Sequence, residues 1–319
     1  MSDRSESGAA AARRRASDWY ARRSYHHSEF PPERIRAERE ASVAVCVPAR
    51  EEALTVAAVV DPLVALREQE VVDRVVVIDA ASRDGTAEIA AAHGAEVHQQ
   101  DELLPELGPT LGKGDALWRA LSVLSADVVC FVDADSDDFG PHFACGLLGP
   151  LVVDQSLELV KGAYERPFAT AGGIEPAGGG RVTELTARPL INRFYPELAG
   201  FRQPLAGELA ARRALLERLP FTTGYGVEIG LLVDAWRDVG IDALAQVDLG
   251  ARRNRHQALA ALGPMAYVVL GAVCSRLERD GRLASGDAGP LLRPDAGRID
   301  TLEVPLVERP PMATVSSRA

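Results

Sequence analysis

The sequence predicts an α/β chain: a Rossmann-like, mostly parallel sheet with helices on both faces and a smaller lobe attached. Three short apolar runs carry that prediction. Val43-Ala44-Val45-Cys46-Val47 stops at Pro48, Val75-Val76-Val77-Ile78 stops at Asp79, and Val128-Val129-Cys130-Phe131-Val132 stops at Asp133. Each is mostly β-branched, unbroken and without alternation, the pattern of strands covered on both faces. Helical stretches separate them, over Leu54 to Gln69 with a break or bend near Pro62, Thr86 to His93, and Lys113 to Leu124. Strands alternating with helices give a doubly wound half-domain.

Residues 1–17 are rich in Ala, Ser and Arg and poor in large apolar side chains, so a disordered leader is expected, with order starting near Trp19 and Tyr20. The α/β half then spans 18–158. From 159 to 278 the pattern loosens into a second half. There, Ala171 to Gly180 reads as a loop, Arg181 to Asn192 as a helix bent at Pro189, and a further helix starts at Glu208. Val227 to Val239 reads as a helix and Ala245 to Leu249 as a strand. Residues 279–319, rich in Gly, Asp and Pro, read as an extended tail.

The 319 residues suit one large domain or a core with a second lobe. With 47% apolar and 25% charged residues, disorder throughout is excluded. A net charge of −11 argues against a nucleic-acid surface, although a few local cations or a metal still allow anionic substrates. Cys46, Cys130, Cys145 and Cys274 share no metal-ligand spacing and read as thiols of a reducing, cytoplasmic setting. The amino terminus has its apolar residues and arginines in the wrong order for a secretory signal. The longest apolar stretch, Leu259 to Cys274, covers about 16 residues where a bilayer span needs roughly 20. A soluble protein is expected.

In open parallel sheets, ligands bind beyond the carboxyl ends of the strands, where helix amino termini also point. The three runs deliver Pro48-Ala49-Arg50-Glu51-Glu52, the turn starting at Asp79-Ala80, and Asp133-Ala134-Asp135 to that edge. Two carboxylates two apart at a strand end suit a hard divalent cation that also holds phosphate oxygens. They equally suit a solvated terminus, but Asp133, Asp135, Asp137 and Asp138 repel one another without a counter-cation. Gly112-Lys113-Gly114 opens a helix and is not a P-loop; Lys113 reads as a phosphate or base contact, or as a solvated lysine. Gly178-Gly179-Gly180-Arg181-Val182-Thr183 offers backbone N–H groups, a guanidinium and a hydroxyl to an anion, or a cap after a mobile loop. Gly224-Tyr225-Gly226-Val227-Glu228 puts a carboxylate in a first helical turn, either serving the helix dipole or holding a sugar hydroxyl. Arg252-Arg253-Asn254-Arg255-His256-Gln257 is either a solvated turn or a source of cations and an imidazole.

Together with Leu159-Val160-Lys161, Gln203-Pro204-Leu205-Ala206-Gly207-Glu208 and Arg309-Pro310-Pro311-Met312, these segments resemble the glucosyl-3-phosphoglycerate synthase family from about Trp19 to Met312. The resemblance implies a GT-A type glycosyltransferase fold. It implies retaining transfer of glucose from UDP-glucose to the 2-hydroxyl of 3-phosphoglycerate, Mg²⁺ or Mn²⁺ as cofactor, and a homodimer. It makes 18–158 the nucleotide-sugar-binding half and 159–278 the acceptor-binding and catalytic half. Pro48, Ala49, Arg50, Glu51, Glu52, Asp79, Ala80 and Lys113 are implied to hold the nucleoside, and Asp133 and Ala134 to lie against the nucleotide sugar. Leu205, Tyr225 and Glu228 are implied to line the glucose pocket. Arg252 and Arg255 then face the diphosphate, and Gly180, Arg181, Val182, Thr183 and His256 the acceptor. Glu228, Asp133, Leu205 and Arg252 form the implied catalytic group, with Asp135 on the metal.

Two departures from the family pattern matter. Glu51 and Glu52 follow Arg50 directly, without the family's extra Asn or Asp, and Asn254 stands where relatives have a metal-binding His. Either His256, two residues on, takes the metal through a shifted loop, or Asn254 offers a weaker oxygen ligand, or metal affinity is low. The sequence therefore also admits a sibling transferase with another NDP-hexose or acceptor, and a metal-impaired, non-catalytic sugar-nucleotide-binding protein.

Overall fold

A computed structural model describes residues 2–165, 168–170, 173–175, 180–252, 258–284, 290–295 and 298–316. Its first half runs α1 (Ser2–Arg23), β1 (Ser24–His26), α2 (Pro32–Glu38), β2 (Val43–Ala49), α3 (Val56–Glu68), β3 (Arg74–Asp79), α4 (Thr86–Ala92), β4 (Glu96–Gln99), α5 (Lys113–Ala120), β5 (Val128–Phe131) and α6 (Pro141–Val153). The second half runs β6 (Leu159–Glu165), β7 (Phe168–Thr170), β8 (Gly173–Glu175), α7 (Arg188–Phe194), β9 (Leu209–Arg212), α8 (Arg213–Arg218), β10 (Phe221–Thr222), α9 (Val227–Val239), β11 (Leu244–Ala251) and α10 (Leu259–Arg279). The tail supplies β12 (Leu291–Asp295), β13 (Arg298–Leu302), β14 (Glu308–Arg309) and α11 (Met312–Ser316).

Eight strands form the central sheet in the order β1-β11-β6-β9-β5-β2-β3-β4, and β9 alone runs against its neighbours. Successive side chains on a strand point to opposite faces, so each run feeds two cores. Ala44, Cys46, Val76, Ile78, Val129 and Phe131 pack with Leu117 of α5 and Ile229 of α9. Val43, Val45, Val47, Val75, Val77 and Cys130 pack with Leu63 of α3 and Phe143 of α6. Burial on both faces is why these strands carry no polar alternation. The cysteines are thiols, and burial raises those of Cys46, Cys130 and Cys145.

Three expectations are corrected by the structure. The expected disordered leader is the start of α1, whose last turns are anchored: Trp19 is buried, donates Nε1–H to Leu244 O at 2.9 Å and packs on Phe201 with ring centroids 4.4 Å apart. Inside the expected loop 171–180, Gly173–Glu175 pairs with Phe168–Thr170. The helix expected from Glu208 is instead strand β9, inserted between β5 and β6. The described part of the tail is mostly extended, in β12, β13 and β14, and ends in the short helix α11.

Helix α10 has 21 residues and is long and apolar enough, by length and composition, to cross a membrane. Here it packs on the body of the fold. Arg276 on it is fully buried, donating Nε–H to Asp234 Oδ2 at 2.9 Å and Nη1–H to Thr222 Oγ1 at 3.1 Å. Burial raises the Asp234 carboxyl, opposed by Arg276.

Candidate active site

The carboxyl ends of β2, β3 and β5 open onto a cleft of about 790 Å³. Gly112, at φ +83°, turns the chain into α5 so that Lys113 begins the helix facing the cleft. Gly114 needs its missing side chain, because a Cβ there would fall on the Thr222 carbonyl oxygen. That close approach joins the Lys113 rim to the segment leading through Gly224 and Tyr225 to Glu228, in the first turn of α9.

Charged side chains meet on the floor. Lys113 Nζ lies 2.5 Å from Asp133 Oδ1 and 3.0 Å from Glu228 Oε1. Arg252, at the end of β11, lies fully buried with its guanidinium 2.6 Å from Asp135 Oδ1 and 3.5 Å from Asp133 Oδ2. It also pairs with buried Glu208, and Tyr164 lies beneath it with a ring centroid 5.4 Å away. Burial opposes charge on Lys113, but Asp133 and Glu228 outweigh it and hold the ammonium well above its ordinary range. Arg252 is raised likewise, with Glu208 the leading partner against burial. Both cations stay charged, as a site for a diphosphate requires.

Of the residues singled out from sequence, Pro48, Ala49, Arg50, Glu52, Ala80, Lys113, Asp133, Ala134 and Asp135 line this cleft. So do Gly180, Arg181, Val182, Thr183, Leu205, Tyr225, Glu228 and Arg252. Glu51 and Asp79 do not. Glu51, at φ +56°, accepts the Arg83 N–H on Oε1 at 2.9 Å and donates its own N–H to Ser82 Oγ at 2.8 Å, so it ties two loops together behind the rim. Asp79 is wholly buried, and its Oδ2 accepts the Ser82 N–H at 2.9 Å. Asn254, Arg255 and His256, like Gly178 and Gly179, lie outside the described residues. Among those described, no group of three His, Cys, Asp or Glu side chains is arranged to hold a metal.

Sequence reasoning gave no site role to Gln100, Gly207 or the α10 residues Leu262, Met265 and Val269, all of which line the cleft. It also gave none to Lys161 and Glu208, which counted only toward the resemblance and are buried. A lysine inside the run Leu159-Val160-Lys161 was the available signal. Lys161 donates from Nζ to Ala206 O at 2.5 Å, fixing the turn that carries Leu205 and Gly207.

Burial lowers the Lys161 ammonium to about 8, against the pull of Glu228 and Glu208. Its charge therefore balances these carboxylates below that pH and is lost above it. We expect kcat/KM to decline with an alkaline midpoint near 8, and Lys161→Met to lack that limb; profiles from pH ~7 to ~10 check both. Stability runs the other way. The fold carries the cost of burying the ammonium below about 8, and that cost is relieved as pH rises toward the ordinary lysine range.

A strand-end carboxylate pair, fixed cations and an Arg-bearing wall in one cleft of a doubly wound sheet define a nucleotide-sugar glycosyltransferase, and residues 44–138 match the glycosyl transferase family 2 model. The chain is 42% identical to glucosyl-3-phosphoglycerate synthase of Mycolicibacterium smegmatis, over 87% of this chain and 91% of that one. A crystal structure of glucosyl-3-phosphoglycerate synthase from Mycobacterium tuberculosis with Mn²⁺, UDP-glucose and phosphoglyceric acid superposes with a TM-score of 0.79 at 40% identity, covering 90% and 95% of the two chains. One of mannosyl-3-phosphoglycerate synthase from Rubrobacter xylanophilus superposes with a TM-score of 0.87 at 45% identity, covering 94% and 98%. The chain belongs to the glucosyl-3-phosphoglycerate synthase family.

Proposed function

We propose that this chain transfers glucose, with retention, from UDP-glucose to the 2-hydroxyl of 3-phosphoglycerate, giving glucosyl-3-phosphoglycerate. The observation that carries the reading is one cleft holding both the Asp133–Lys113–Arg252 floor and the Gly180 to Thr183 wall. Pro48, Ala49, Arg50, Glu52 and Ala80 take the nucleoside, and Leu205, Tyr225 and Glu228 the glucose. Arg181, Thr183 and the amide of Gly180 take the acceptor's anionic groups. Lys113 and Arg252 neutralise the departing diphosphate. The acceptor oxygen bonds to the anomeric carbon on the face that UDP leaves, the bond to the β-phosphate oxygen breaks, and that oxygen keeps the electron pair and takes the hydroxyl proton. Positioning and electrostatics supply most of the rate in such a scheme.

The donor set fits a divalent cation. Asp133 and Asp135 are hard oxygen donors that already share one cation, the Arg252 guanidinium. Asp135 would hold Mg²⁺ or Mn²⁺, together with Asn254 or His256. The ion supplies charge neutralisation on the leaving diphosphate. We assign the chain to the cytoplasm, as a homodimer.

The mannosyl-transferring neighbour at 45% identity, together with the Arg50 departure, favours one second reading, in which a mannose nucleotide is the donor. The test incubates the protein with 3-phosphoglycerate and each of UDP-glucose, GDP-glucose and GDP-mannose, and weighs the product. The glucosyl product from UDP-glucose is expected. Product from GDP-mannose alone replaces the first reading with the second, and no product with any donor removes both.

A further inference from the structure

The tail reaches back across the molecule and bonds to both rims of the donor half of the cleft. On one rim, Arg309 donates Nε–H to Asp115 Oδ1 at 2.5 Å, Nη1–H to Leu107 O at 2.6 Å and Nη2–H to Pro109 O at 2.8 Å. Asp115 is fully buried in the first turn of α5 and works as a hub. Its Oδ2 accepts Leu111 N–H at 3.0 Å, Gln100 Nε2–H at 3.2 Å and Arg119 Nε–H at 2.9 Å. Trp118 donates Nε1–H to Pro310 O at 2.8 Å, and the Arg309 guanidinium sits 5.3 Å from its ring. Gln100, Thr110, Gly112 and Lys113 of this rim line the cleft.

On the other rim β14 pairs with β10, and Val307 O accepts both the N–H and the hydroxyl of Thr223, at 2.8 and 2.9 Å. Thr223 immediately precedes Gly224 and Tyr225, which also line the cleft. Four residues, 307–310, thus staple the Lys113 side to the Tyr225 side, yet none of them lines the cleft.

We infer that Arg309 is a positioning residue for donor binding: through Asp115 and the Leu107 and Pro109 carbonyls it fixes the 104–113 loop, and with it Lys113, against the Tyr225 turn. An exposed loop of this length left to itself samples many conformations, and ordering it would be charged against donor affinity. The pre-ordering acts on the nucleotide end. The Arg181 wall does not share these bonds. The inference rests on the reading of this half as the donor seat.

The experiment uses the full chain with Arg309→Ala and Arg309→Lys, varying UDP-glucose and 3-phosphoglycerate separately. The expected result is a donor KM raised about tenfold or more by alanine, with the acceptor KM within about twofold. Lysine gives little rescue, since one ammonium does not span a carboxylate and two carbonyls as the guanidinium fork does. In parallel, deuterium uptake by Arg309→Ala is expected to speed at residues 104–113 and 223–226 and to stay at wild-type rates in β2 and β3. Equal rises in both KM values, full rescue by lysine, or unchanged uptake at 104–113 overturns the inference. If alanine prevents folding, Thr223→Val decides: a donor KM raised by about two- to fivefold supports it, and an unchanged one overturns it. A wild-type chain that makes no product sinks the donor reading alone, and the uptake pattern then judges the staple by itself.

Discussion

Gly207→Ala lowers kcat/KM by about 10²-fold or more while the protein stays folded. Gly207 ends the Leu205 turn, and a Cβ built on it comes within 2.5 Å of Lys113 Nζ and of Asp133 Oδ1. These two atoms are themselves 2.5 Å apart, so the methyl group cannot enter without separating the pair or pushing the turn outward. Either movement displaces the groups proposed to seat the diphosphate, and an error of about 1 Å at such a seat costs roughly 10²-fold in rate. The stability cost is smaller, about 1–3 kcal/mol for overpacking. Steady-state kinetics beside a thermal melt check both numbers. Activity within twofold of wild type would mean that the Lys113–Asp133 pair does not need its observed geometry.

The second large effect is expected at Arg252. Arg252→Met removes the guanidinium that faces Asp133, Asp135 and Glu208, and leaves the Glu208 carboxylate inside the protein with Arg252's charge gone. Removing one member of a buried pair costs about 3–5 kcal/mol. Turnover should fall by about 10³-fold, since the lost cation also serves the leaving group. The decisive comparison is the double variant Arg252→Met, Glu208→Gln. Neutralising Glu208 should recover most of the stability in urea titrations and none of the turnover. Activity that returned along with stability would reduce Arg252 to a structural residue.

What could be read from the sequence was whatever is local. β2, β3 and β5 announce themselves because each is β-branched and covered on both faces, and each hands its polar residues to the same edge. Asp133 and Asp135 were found for that reason, and Lys113, Arg181 and Glu228 because glycines mark the helix starts that carry them. The polar edge strands β1 and β4 were not, having three and four residues and no apolar run. β9 was misread because Leu209-Ala210-Ala211-Arg212 is made of good helix formers; its place between β5 and β6 overrides that preference. Glu208 went with it, since a helix cap and a buried ion-pair partner look alike in one dimension. Arg309 gave no hint of its role, because Asp115 lies 194 positions earlier.

The reversed direction of β9 has an evolutionary meaning. Because it runs antiparallel to β6, the chain leaves β6 and enters β9 at the same edge of the sheet, with Lys161 opposite Leu209. The chain between the paired residues Lys161 and Leu209 thus leaves and rejoins the sheet at one place, and it carries Arg181, Thr183 and Leu205. The segment between β6 and β9 can be lengthened, trimmed or exchanged by recombination without disturbing the register of the eight-stranded sheet. A lineage could recruit a new acceptor while inheriting its nucleotide chemistry intact.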